Sequence, residues 1–130
     1  MTKAVVQTDL GAFAVDLETE ELEPADASPE PKTFTTDLPR VLGGDTVGST
    51  VVAVVDRKPP LMISHDAGIT WREAGAGLPQ GRAVAIDEDD PDLIVYASRN
   101  RLHVSTNGGV FWRALALELP EIEAVALIPS

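Results

Sequence analysis

Apolar residues in this sequence gather in short runs, each closed by a turn-forming cluster, rather than spreading along helical faces. Thr2 to Gln7, Gly11 to Asp16, Val51 to Asp56, Leu61 to Ser64, Leu93 to Ser98, Leu102 to Ser105 and Ile122 to Ile128 are the clearest. Runs of this length, rich in Val, Ile, Leu and Ala and bounded by Gly, Pro, Asn and Asp, predict β-strands joined by tight turns. No window of about eleven residues carries a helical 3.6 period. Asp16 to Glu23 comes nearest, and its charges suit a turn equally well. The prediction is an all-β chain.

The runs recur. A shift of 41 positions lays Leu61 on Leu102, Ser64 on Ser105, Gly68 on Gly109, Trp71 on Trp112 and Arg72 on Arg113. It also lays Leu78-Pro79 on Leu119-Pro120 and Ala83-Val84-Ala85-Ile86 on Ala124-Val125-Ala126-Leu127. Both tryptophans of the chain thus hold one position of the repeat, and Leu38-Pro39 falls one period earlier within a residue. Each unit reads as two short strands, a polar turn and a third strand opening with tryptophan, with the Ala-Val-Ala segments as the remaining strand. Four short strands in about forty residues is the arithmetic of one propeller blade. The expected organisation is one blade over about 40–79, one over about 80–120, and a divided one in which strands from 2–23 are completed by 122–128. Three, four, four and one make twelve strands. Residues 24–37, rich in Pro, Ala, Ser and acids, are expected to form a flexible insertion loop.

The polar turns are Ser64-His65-Asp66-Ala67-Gly68-Ile69-Thr70-Trp71 and Ser105-Thr106-Asn107-Gly108-Gly109-Val110-Phe111-Trp112. They resemble the Asp-box (BNR) repeat of β-propellers, Ser-x-Asp-x-Gly-x-Thr-Trp. The first matches at every defined position; the second carries Asn107 for the acid and Phe111 for threonine. The resemblance covers roughly 41–129, and the N-terminal blade has no recognisable box. In physical terms Asp66 and Asn107 accept from downstream backbone N–H groups, while Gly68 and Gly109 supply a positive φ. Ser64, Ser105 and Thr70 complete the motif, and Trp71 and Trp112 are expected to drop into the blade core, where truncating a buried Trp costs about 3–5 kcal/mol. The family places these hairpins on the outer rim, away from the axial ligand face, so the box reads as scaffold rather than catalytic site.

Composition narrows the function. Ten Lys+Arg against twenty-one Asp+Glu give 10 − 21 = −11, a balance that repels phosphate backbones and anionic membranes, so neither nucleic acid nor membrane is an expected partner. The chain has no cysteine, which removes disulfides, thiol nucleophiles and the common zinc modules. Met1 to Leu10 holds one lysine and no long apolar core, and a cytoplasmic location is expected.

Sialidases of the Asp-box type use three clustered arginines, a tyrosine nucleophile and an acid/base aspartate. Here the single tyrosine, Tyr96, lies mid-strand and reads as a packed aromatic. The run Asp87-Glu88-Asp89-Asp90-Pro91-Asp92 reads as a solvated turn, since it lacks the glycine and spacing of a calcium loop. His65 and His103 are read as incidental, and neither a metal nor a cofactor is expected. Arg82 and Glu123, at the entry of first strands, are the candidate ligand-binding residues near the axis.

Propellers usually need about four to eight blades to close. Three leave two end faces open, and the expectation is a homodimer forming a six-bladed ring, with the C-terminal strand exchanged reciprocally into the partner's N-terminal blade. The resemblance to photosystem II assembly-factor and sortilin-type propellers implies a non-catalytic scaffold that recognises a protein or peptide on an axial face. The competing reading is a glycan-binding lectin or a sialidase- or glycosidase-like hydrolase.

Overall fold

The computed structural model describes residues 2–25, 29, 38 and 40–129. Among them the chain is all strand and turn: β1 (Thr2–Thr8), β2 (Gly11–Asp16), β3 (Leu22–Pro24), β4 (Val41–Val47), β5 (Thr50–Val55), β6 (Leu61–Ser64), β7 (Arg72–Ala74), β8 (Gly81–Ile86), β9 (Ile94–Ser98), β10 (Leu102–Ser105), β11 (Arg113–Ala114) and β12 (Ile122–Pro129). They form three four-stranded antiparallel sheets: β12-β1-β2-β3 (sheet I), β4-β5-β6-β7 (sheet II) and β8-β9-β10-β11 (sheet III). Most of the expected insertion loop 24–37 lies outside the described residues; Pro24 itself closes β3, and Ala25 N–H donates to Ala12 O (3.0 Å).

Alternation explains the packing. Along β5, Val52 and Val54 point to sheet III, where they meet Val84, Ile86, Ile94 and Tyr96 together with Leu61, Ile63 and Ala74. The opposite sides of β8 and β9, through Ala85, Val95 and Ala97, meet Ala4, Val6, Val15 and Val125 of sheet I. Sheet III is therefore the middle layer, and its first strand β8 packs against both β4 and β12. Burying a Val, Leu or Ile side chain in such a layer contributes about 1.5–3 kcal/mol.

The outer side of sheet II is partly self-covered. Ala53, Val55 and Met62 are buried beneath Trp71, Val41 and Leu38. What stays uncovered on the first strands of the two end sheets is Leu42 (52% exposed) and Ile128 (42% exposed).

The last strand pairs within its own chain. Seven positions from Thr2↔Pro129 to Thr8↔Ile122 join β1 to β12, with a bulge at Gln7/Thr8. Strand exchange between copies had been expected to cover the β1 edge; here the chain's own C-terminal strand covers it.

Candidate functional site

The two tryptophan hairpins link β6 to β7 and β10 to β11, and both are built alike. In the first, Asp66 Oδ1 accepts from Ser64 Oγ (2.7 Å) and Thr70 N (2.8 Å), while Oδ2 accepts from Thr70 Oγ1 (2.6 Å). Ser64 Oγ in turn accepts from Gly68 N (2.8 Å). These donors hold the half-buried Asp66 carboxyl down at about 2, with the Thr70 hydroxyl the largest contributor. In the second, Ser105 Oγ donates to Asn107 Oδ1 (3.0 Å) and accepts from Gly109 N (2.9 Å), and Asn107 Oδ1 accepts from Phe111 N (3.0 Å). The hairpin survives the Asp-to-Asn change because one acceptor oxygen suffices for the backbone bonds. Phe111 offers no hydroxyl and its ring stands in solvent.

Gly68 (φ 88°) and Gly109 (φ 89°) sit in the left-handed region against the tryptophan rings. Trp71 and Trp112 are half-buried rather than sunk in the core. Each lies over the edge of a cluster, Trp112 meeting Tyr96 edge-on at 6.1 Å. Trp112 sits at the margin of the layer between sheets II and III, and Trp71 on the outer side of sheet II.

The sheet I turn uses the same chemistry without the full motif. Asp16 Oδ1 accepts from Glu18 N (2.9 Å) and Thr19 N (3.0 Å), and those two amides, Thr19 first, lower its pKa.

The sequence suggests that the repeated arginines stack on aromatics or pair with rim acids; instead they bind backbone carbonyls. Arg72 Nη2 donates to Gly108 O (2.7 Å) in the hairpin of sheet III, and Arg113 Nη2 donates to Leu17 O (3.0 Å) in the turn of sheet I. Each arginine thus ties its own sheet to the turn of the next. The repeat was the signal available: two arginines in one register, each following a tryptophan. In sheet I, Glu23 pairs with Ala14, the place that Arg72 takes opposite Ile63 and Arg113 opposite Val104, and Glu23 instead accepts from Lys3 Nζ (3.1 Å). A second interlayer contact was also unforeseen: buried Asp45 on β4 accepts from Ile86 N on β8 (2.9 Å).

The remaining candidates disperse. Arg82 is exposed at the start of β8 and reaches Glu121 (3.3 Å), which also holds Arg99 (3.0 Å); Glu123 is exposed on β12. Tyr96 is fully buried, donates its hydroxyl to Pro79 O (2.6 Å), and burial raises its pKa. His103 is buried against Tyr96 with Nε2 unpaired among the described residues, and burial is the larger cause lowering its pKa, with Arg101 second. His65 is exposed on its hairpin. In the acidic run, Asp87 Oδ1 accepts from Asp89 N (3.3 Å) and Asp90 Oδ1 from Asp92 N (3.2 Å), so two carboxylates close the β8–β9 turn. Among the described residues no three His, Asp or Glu side chains group as a metal site, and no helix is long and apolar enough to cross a membrane.

One end is strongly acidic and the other is mixed in charge. The turns 17–21, 65–71, 87–93 and 106–112 lie at one end of the sheets, tied together by the Arg72 and Arg113 bonds and by Thr2 Oγ1 on Asp87 (3.5 Å). That end carries Glu18, Glu20, Glu21, Asp66 and the acidic run. Arg40, Arg57, Lys58, Arg82, Arg99 and Arg101 lie at the opposite end, at the entry to β4, on the turns 56–60 and 99–101 and at the start of β8, where Asp9, Asp56, Glu118 and Glu121 also lie. Comparison with known proteins returns neither a matching family model nor a similar curated protein.

Proposed function

We propose that the chain is a non-catalytic binding scaffold of the Asp-box propeller type, three blades that two copies complete into a six-bladed ring. The reading is supported above all by the serial packing: β4, β8 and β12 are the first strands of successive layers, and only β8 has a neighbour on both sides. A row of this kind has two unlike ends, and joining the end of one copy to the start of another generates a two-fold ring. Leu42 and Ile128 are the apolar side chains left for those junctions. The partner side of the scaffold is the end bearing Arg82, Arg99 and Arg101, where turns from successive sheets converge on an axial face and a protein or peptide ligand docks.

The polar side chains of the repeat support a scaffold role in a second way. Ser64, Asp66, Thr70, Ser105 and Asn107 spend their hydrogen bonds inside the turns. Screening the chain against a panel of fluorogenic glycosides and a glycan array tests the assignment. Neither turnover nor glycan retention is expected. Turnover with saturation kinetics, or specific glycan retention, overturns it in favour of a glycan-active protein.

A further inference from the structure

The cations at the non-hairpin end are not equally engaged. Arg82 and Arg99 share Glu121, and Arg101 holds Glu118 at 3.0 Å. Arg40, Arg57 and Lys58 have no carboxylate partner among the described residues; Arg57 Nη2 donates to Met62 Sδ at 3.0 Å. The three stand together at one corner, because Asp56 N–H donates to Arg40 O (2.9 Å) at the base of the turn that carries Arg57 and Lys58. Asp56 is the acid within this group, leaving a local excess of positive charge.

A cleft opens at the same corner. It has a volume of about 390 Å³ and is lined by Arg57, Lys58, Pro60 and residues 77–80. That volume falls in the range of about 300–1,000 Å³ usual for ligand sites and far exceeds what an inorganic ion fills. Its walls are mixed in kind: two cations face Pro60, Leu78 and Pro79, and Gln80 is fixed by donating Nε2 to Val55 O (3.1 Å).

We propose that this cleft binds an acidic peptide segment, its carboxylates on Arg57 and Lys58 and a neighbouring apolar side chain against Leu78 and the prolines. The choice of a polypeptide rests on the scaffold reading above; the anionic character rests on the cleft alone. The net charge of −11 does not forbid it. The acidic turns lie a full strand away, and a strand such as β5, six residues long, spans about 20 Å at about 3.3 Å per residue. That is twice the Debye length of about 8–10 Å at 0.1–0.15 M salt, so the local field governs the encounter.

The test is fluorescence anisotropy with a labelled peptide carrying alternating glutamates and leucines, against the same peptide with glutamines. The expected result is saturable binding to the full chain, at least tenfold weaker for the glutamine peptide and for the Arg57→Gln/Lys58→Gln double variant. Lys3→Gln, which removes a cation paired with Glu23 and remote from the cleft, is expected to leave binding unchanged. Equal affinity for both peptides, or full affinity in the double variant, overturns the proposal. Competition by citrate as tight as the peptide itself, with no effect of replacing the leucines by serine, overturns it in favour of a site for free polycarboxylates. Glycoside turnover sinks the scaffold reading but leaves a charge-dependent, Arg57-dependent peptide signal standing, so the two failures are distinguishable.

Discussion

Deleting residues 122–130 is expected to abolish the cooperative unfolding transition. The deletion removes β12, whose seven pairings with β1 close sheet I, and takes Ile122 and Val125 from the largest apolar cluster. Two buried aliphatic side chains at about 1.5–3 kcal/mol each, with the loss of the hydrogen bonds that β1 makes to β12, approach the total stability of about 5–15 kcal/mol typical of a domain. The exposed edge of β1 then invites pairing with other chains, so the deleted protein should also aggregate. Urea unfolding followed by circular dichroism reads the effect. A milder variant keeps the expectation testable if the deletion does not express: Ile122→Ala, at a fully buried position, should cost about 2–5 kcal/mol. An unchanged urea midpoint for Ile122→Ala would contradict the role given to β12.

The second large effect is expected at a glycine. A Cβ on Gly81 would land on the ring and hydroxyl of Tyr96. Tyr96 cannot yield, because it is fully buried between sheets II and III and its hydroxyl is tied to Pro79 O. Overpacking of this kind costs about 1–3 kcal/mol, and displacing the hydroxyl from its acceptor adds about 1 kcal/mol. Gly81→Ala should therefore lose about 3 kcal/mol in urea unfolding. Gly43→Ala is the matched control on β4: its Cβ would meet only Arg82 O, at 3.9 Å, and it should cost under about 1 kcal/mol. Equal losses for the two variants would show that Tyr96 does not fill the space beside β8.

Much of this arrangement was legible because the repeat places rare residues at a fixed interval. Two tryptophans 41 positions apart fixed both hairpins and, through them, the strands on either side. β4 was harder to read. Its Leu42-Gly43-Gly44-Asp45-Thr46 carries little β propensity, and it holds its place through β5 pairing and the Asp45 bond to Ile86, neither visible in local pattern. The arginine ties escaped for a related reason. Their acceptors are backbone carbonyls 36 and 96 residues away, which no side-chain type announces. The tryptophans are half-buried rather than sunk in the core because each precedes the last, short strand of its sheet, at the margin of the packed layers. The candidate pair Arg82 and Glu123 came from register alone. Register puts both on first strands, but the partner that Arg82 finds, Glu121, belongs to a turn.

The proposed six-bladed ring requires two copies to close the row of three layers. Sedimentation velocity on the full chain, from one to fifty micromolar, tests that most directly. The ring predicts a single species of twice the 13.8 kDa chain mass, about 28 kDa, with the proportion of monomer falling as concentration rises. A single species at 13.8 kDa throughout that range would contradict it.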